Sequence, residues 1–204
     1  MSPLNKGLIF TAALLSAGCA SLVAPAPSAE RSALRAGQYA LDPAHASILF
    51  KIDHLGFSTY VGRFETFDAA LDFDADDPTA AQIDATIEIE SLDIANDDFA
   101  ATLAGPDWFD ASAFPEARFR STAIEITGDN TGRMTGDFTL KGVTAPITLD
   151  VIFNGGDRDL LRGAYVVGFS ATGSFDRTVF GVDRFAGVVG NDVFIEIEAE
   201  FERR

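Results

Sequence analysis

Two histidines, His45 and His54, one cysteine, Cys19, and one tryptophan, Trp108, are the scarce chemistry-bearing residues of this 204-residue chain. A histidine pair can ligate zinc, but zinc sites draw further His, Cys or carboxylate ligands at short fixed spacings. His45 and His54 match neither HxH nor HExxH, and no cysteine follows position 19. No metal site is therefore expected. His45 follows "LDPA" and His54 precedes "LG", contexts in which an imidazole anchors a turn by hydrogen bonding. The chain has no GxSxG elbow for a serine nucleophile and no GxxxxGK[ST] loop for phosphates. "NDDF" and "DADD" lack the alternating ligands of a calcium loop. Paired carboxylates for glycoside hydrolysis exist on paper, yet most Asp and Glu alternate with apolar residues and belong to a solvated face. An enzyme is not expected.

The charge balance narrows the partners. Asp and Glu number 31 against 15 Lys and Arg, a formal net charge of -16. Such a surface repels phosphate backbones, so nucleic acid is excluded as an expected partner, and anionic lipid headgroups are repelled in the same way. Hydrophobic residues make up 47%, with 18 Phe, ample for the core of one domain.

Residues 1–19 have the parts of a secretion signal: a polar start with Lys6, an apolar run from Leu8 to Leu15, then Ser16, Ala17 and Gly18 before Cys19. The run is too short for a bilayer span of about 20 residues. One cysteine in an exported chain cannot close an internal disulfide. The stretch resembles the lipobox of bacterial lipoproteins, which implies acylation of Cys19, although Ser16 stands where that motif usually has Leu. The alternative is an ordinary signal peptide cut near Ala20 or Ala24. By analogy with bacterial sorting, Ala20 and Ser21 permit transfer to the outer membrane. The expectation is an exported, periplasmic protein anchored to a membrane as a lipoprotein. Residues 20–38, rich in Ala, Pro and Ser, read as a flexible tether.

From Tyr39 the pattern repeats with period two, as strands with one buried face require. Ile83, Ala85, Ile87 and Ile89 alternate with Asp84, Thr86, Glu88 and Glu90. Similar runs occur at 48–53, 67–73, 118–126, 134–141, 147–153, 164–175 and 193–201. Turn residues separate them at "DADDP", "GDNTG", "NGGDRD" and "VVGND". One short helix is expected in "NDDFAATLAGPDWF", capped by Asn96 and stopped at Gly105-Pro106. About eight one-faced strands with almost no helix must form a two-sheet sandwich or close as a barrel. Small residues on the inward faces, Ala69, Ala85, Gly136, Ala171, Gly173 and Ala199, are compatible with a lumen or with a taper filled by Phe.

"YALDPAHASILFKIDHLGFSTYVGRFETF" resembles the opening of the YceI-like family of bacterial exported polyisoprenoid-binding proteins. The likeness continues through "IEIESLDIANDDFAATLAGPDWFDASAFPEARFRST", "GDFTLKGVTAPITLDV" and "GSFDRTVFGV", so it spans Tyr39 to Phe201. The resemblance implies an all-β, eight-stranded antiparallel, lipocalin-like barrel over residues 39–204, with one or two short helices. It also implies a tunnel holding an isoprenoid lipid such as a quinone or polyprenyl chain, with no covalent cofactor. Phe50, Ile52, Phe67, Phe73, Ile87, Phe119, Phe138, Leu140 and Phe169 would surround the chain, and His54, Trp108 and Arg177 would meet a headgroup at the mouth. The family's helix often carries Arg and His where this chain has "DDFAATL". The expected function is binding and sequestration or transport of the lipid in the cell envelope, and a homodimer is compatible with it. Alternatives are a quinone-linked redox accessory or enzyme, and a structural or interaction lipoprotein with a filled barrel. Phe138→Ala would separate a filled core, losing about 3–5 kcal/mol, from an open one with altered ligand retention.

Overall fold

Alternating apolar and polar residues become ten antiparallel strands in a computed structural model that describes residues 27–30 and 33–204. The leader, Cys19 and the first part of the tether lie outside the described residues. The strands are β1 (Gly37–His54), β2 (Ser58–Phe64), β3 (Phe67–Phe73), β4 (Gln82–Glu88), β5 (Leu92–Asp93), β6 (Glu116–Ile126), β7 (Thr131–Leu140), β8 (Val143–Arg158), β9 (Tyr165–Asp176) and β10 (Asp192–Arg203). Eight of them, all but β2 and β5, form a closed ring in which β10 returns to β1. Closure leaves no unpaired edge around the ring, which a one-faced sheet without covering helices needs.

Besides β10 on one edge, β1 serves two neighbours on the other. Gly37–Ala40 pairs with β3, and Ile48–His54 pairs with β2. Between them the pairing to β10 shifts register from Leu41 to Ala46, a bulge that bends the strand. β2 then carries β5 as a short tongue beside the ring.

Helix α1 (Asp97–Ala104) forms where its capping residues indicate: the Asn96 side chain accepts the Phe99 N–H at 2.9 Å, and Asp97 and Asp98 occupy the positively polarised first turn. Leu103 buries its face against Leu92 and Ile94, so α1 covers one end of the barrel. That closed end also holds the β1–β2 and β7–β8 turns and a 3₁₀ turn at Arg177–Phe180. The opposite end carries the β3–β4, β6–β7 and β8–β9 connections.

Two sequence expectations differ here. "NGGDRD" is not a turn: Asn154–Arg158 continue β8 through a bulge between Phe153 and Gly155, and the chain reverses at residues 159–164. The reason is the segment before β1, expected as a free tether. Ser28 exchanges two backbone hydrogen bonds with Gly156, at 3.2 and 2.9 Å, and Gly155 adopts φ +122° beside Pro27. A Cβ at Gly155 would stand 2.8 Å from the Pro27 ring. Leu34 packs against the buried cluster of Tyr39, Phe73, Tyr165 and Phe201. The Tyr165 hydroxyl donates to the Ala33 carbonyl at 3.1 Å, and the Tyr39 hydroxyl to the Arg35 carbonyl.

Tyr39 is 1% exposed, and burial, reinforced by Tyr165 and opposed by Arg203 and Arg35, pushes its hydroxyl up to about 12. The unfolded chain ionises this tyrosine near pH 10, so below pH 10 its contribution is fully present. Between pH 10 and 12 the unfolded state loses the proton first and stability falls. The urea midpoint is expected to drop across this window, and Tyr39→Phe to shrink the drop. Equal slopes for both proteins would show that Tyr39 does not carry it.

Candidate functional site

Register decides which inward side chains share a level. Ala69, Ala85, Phe119, Phe138 and Ala145 lie side by side across β3, β4, β6, β7 and β8. Phe153, Phe169 and Ala199 do so across β8, β9 and β10. Rings therefore face alanines, and the space between them is not filled. Gly136 serves the same packing: a Cβ there would fall 2.3 Å from the Phe119 ring.

The result is an apolar cavity of about 260 Å³ inside the ring, near the lower end of ordinary small-molecule sites. It opens between the β3–β4 connection, at Ala75, Pro78 and Ala81, and the β6–β7 hairpin, at Ile126 and Asn130. Ala29 and Leu34 of the docked N-terminal segment line the same opening. Its floor is Phe138, whose ring meets Phe175 and Phe180 with centroids 5.2 Å away in each case. Beneath the floor Ile89, Ala111, Leu140, Phe180 and Val182 are buried together.

Of the residues singled out in the sequence, Phe67, Phe73, Phe119, Phe138 and Phe169 line the cavity. Ile87 and Leu140 pack in the cluster under it. Phe50 turns toward α1, packing on Phe64 at 5.9 Å, and Ile52, one alternation further, is half-buried opposite Val193. His54, Trp108 and Arg177 stand at the closed end, away from the opening where the sequence reading placed them. His54 is exposed beside Tyr60, and Trp108 packs edge-to-face with Phe99 and tilted against Phe185. Arg177 is 4% exposed and donates to the carbonyls of Gly190 at 2.9 Å, Val182 at 2.5 Å, Arg184 at 3.0 Å and Val189 at 3.3 Å. Burial lowers its pKa, with Asp176 and Asp183 opposing. Its donors hold a loop and leave little for a ligand. Cavity residues missing from the sequence reading include Ile48, Leu149, Ile195 and Ile197. The same alternation that marked their neighbours marks them.

One polar cluster lies on the outer wall. Ligand atoms of Asp42, His45 and Glu200 come within 4.8 Å of one another. The Arg162 guanidinium lies among them, bonded to Asp42 and, at 2.6 Å, to Glu200. The guanidinium thus takes the place that a cation would hold among these carboxylates. Among the described residues no helix is long and apolar enough to cross a membrane.

Comparison with known proteins agrees with this architecture. A UPF0312 protein of Pseudomonas savastanoi pv. phaseolicola is 38% identical over 149 residues, covering 72% of this chain and 77% of the relative. The crystal structure of Burkholderia cenocepacia BcnA superposes with a TM-score of 0.71 at 25% identity, covering 78% of this chain and 98% of that one. A polyisoprenoid binding domain from Saccharophagus degradans, implicated in plant cell wall breakdown, shares the fold alone: TM-score 0.61, 11% identity, 83% of this chain and 100% of that one. The model of the YceI-like domain matches residues 39–201, nearly the whole ring of strands, and the chain belongs to that family.

Proposed function

We propose that the protein binds an isoprenoid lipid, of quinone or polyprenyl type, in the barrel cavity, and sequesters or carries it in the cell envelope without making or breaking bonds. The observation that carries this reading is the apolar cavity of about 260 Å³, open at one end and walled by Phe, Ile, Leu and Ala. The likeness in fold to a polyisoprenoid binding domain supports the same ligand class. Affinity then comes from surface removed from water. Burying about 200 Å² of prenyl chain contributes roughly 5 kcal/mol at 25 cal/mol per Å², before the losses of immobilisation. A cavity of this size encloses the end of a chain, and the rest passes out through the opening. In this reading Cys19 is acylated and holds the carrier at the outer membrane, where its cargo dissolves.

Native mass spectrometry of the purified protein, followed by solvent extraction, tests the proposal. A stoichiometric isoprenoid adduct is expected. A clean apo mass, unchanged after incubation with quinones and polyprenols, would overturn it.

A further inference from the structure

We propose that the tip of the β8–β9 hairpin, Leu160 and Leu161, inserts into a lipid bilayer and sets the opening of the cavity against the membrane. The two leucines are 70% and 84% exposed, side by side, at the end of the barrel where the cavity opens. Ile126, on the rim of the opening, is a further 41% exposed aliphatic. Leucines free to collapse onto a protein surface normally do so. These are held out by a braced turn.

The Asp159 carboxylate accepts the backbone N–H of Leu161 at 2.8 Å and of Arg162 at 3.2 Å. The Gly163 N–H donates to the Asp159 carbonyl at 2.8 Å. Arg162 then bonds Asp159 and Glu200, each at 2.6 Å, and Asp42, which ties the turn to β1 and β10. The charged residues on this turn are thus spent on one another at its base, and its tip is left apolar.

The occupant is a bilayer because of what else meets at this end. The chain preceding Pro27, with the apolar leader and Cys19, joins the barrel here, against Gly155 and Gly156. Cys19 precedes Pro27 by eight residues, so an acylated Cys19 keeps this end within about 30 Å of its membrane. Resting on the carrier reading, cargo that dissolves in lipid would then enter the cavity without crossing water. The net charge of -16 selects zwitterionic over anionic headgroups. The closed end also exposes apolar residues, Leu55, Phe57, Val179, Phe185 and Val188, but the cavity does not open there and the N-terminal segment does not dock there.

The test uses the full chain in phosphatidylcholine vesicles with brominated acyl chains and no added cargo. A tryptophan introduced by Leu161→Trp is expected to lose at least half its fluorescence to the bromolipid, while Phe57→Trp and the native Trp108 stay bright. No quenching for Leu161→Trp, or quenching for Phe57→Trp instead, would overturn the proposal. In the same vesicles, Leu160→Asp with Leu161→Asp is expected to slow uptake of a fluorescent polyprenol about tenfold and leave uptake from cyclodextrin solution unchanged. No uptake by the wild type from either source, with the Leu161→Trp quenching intact, would count against the carrier reading and leave the docking standing. A wild-type dimer that these aspartates split, without quenching, would make the tip an interface between copies and overturn the docking.

Discussion

Arg177→Lys is expected to lower stability by about 3–5 kcal/mol, the cost of disrupting a buried charge held by four hydrogen bonds. The planar guanidinium reaches four carbonyls spread over residues 182–190, whereas an ammonium offers three donors from a single point. Carbonyls of this loop would be left unpaired in a buried site, each costing about 1–3 kcal/mol. For a domain of this size the melting temperature should fall by roughly 10 °C, read by circular dichroism. Isoprenoid retention per folded molecule should not change, because Arg177 is absent from the cavity wall. A melting point within about 2 °C of wild type, with retention lost, would return Arg177 to the headgroup role.

Ala85→Phe and Ala171→Phe are expected to weaken retention of the isoprenoid by roughly 60-fold, while changing stability by less than about 2 kcal/mol. Both alanines line the cavity, so the added ring enters empty space. Displacing half of a roughly 200 Å² ligand contact removes about 2.5 kcal/mol, roughly 60-fold in affinity. Phe138→Ala does not discriminate between open and filled barrels, since Phe138 both lines the cavity and packs on Phe175 and Phe180. Retention by the plugged variants, measured by extraction after native purification, would show that the ligand sits elsewhere.

Local chemistry was legible where it decides structure locally. Asn96, the two aspartates after it and Gly105 announced α1, and the alternation of Ile83 to Glu88 announced β4 and its inward face. At Ile89 the alternation persists but the strand ends in a 3₁₀ turn, with Ile89 buried under the cavity floor. β2 went unread because "STYVGRF" follows β1 so closely that its pairing depends on the tight turn at Leu55-Gly56. Periodicity shows which face a side chain takes and says nothing about which end of a barrel is open. That is settled by α1, Phe175 and Phe180 filling one end, contacts between distant segments. Hence Phe119 and Phe169 lie on the cavity wall, where their inward alternation puts them, while His54, Trp108 and Arg177, expected at the mouth by resemblance, stand at the closed end. "NGGD" carries turn chemistry, yet its glycines serve the close approach of Pro27 and Ser28.

The seam between β1 and β10 has a consequence for how the chain folds. Ile52 and Val193 must meet across about 140 intervening residues, an ordering cost near 4 kcal/mol beyond the constant for any loop. Hairpins such as β6–β7 and β8–β9 close short loops and form first, so the seam shuts last and sets the rate. Until it shuts, two long, apolar-faced strands carry bare edges, and crowded refolding should stall in aggregates, so that the refolded yield falls as protein concentration rises.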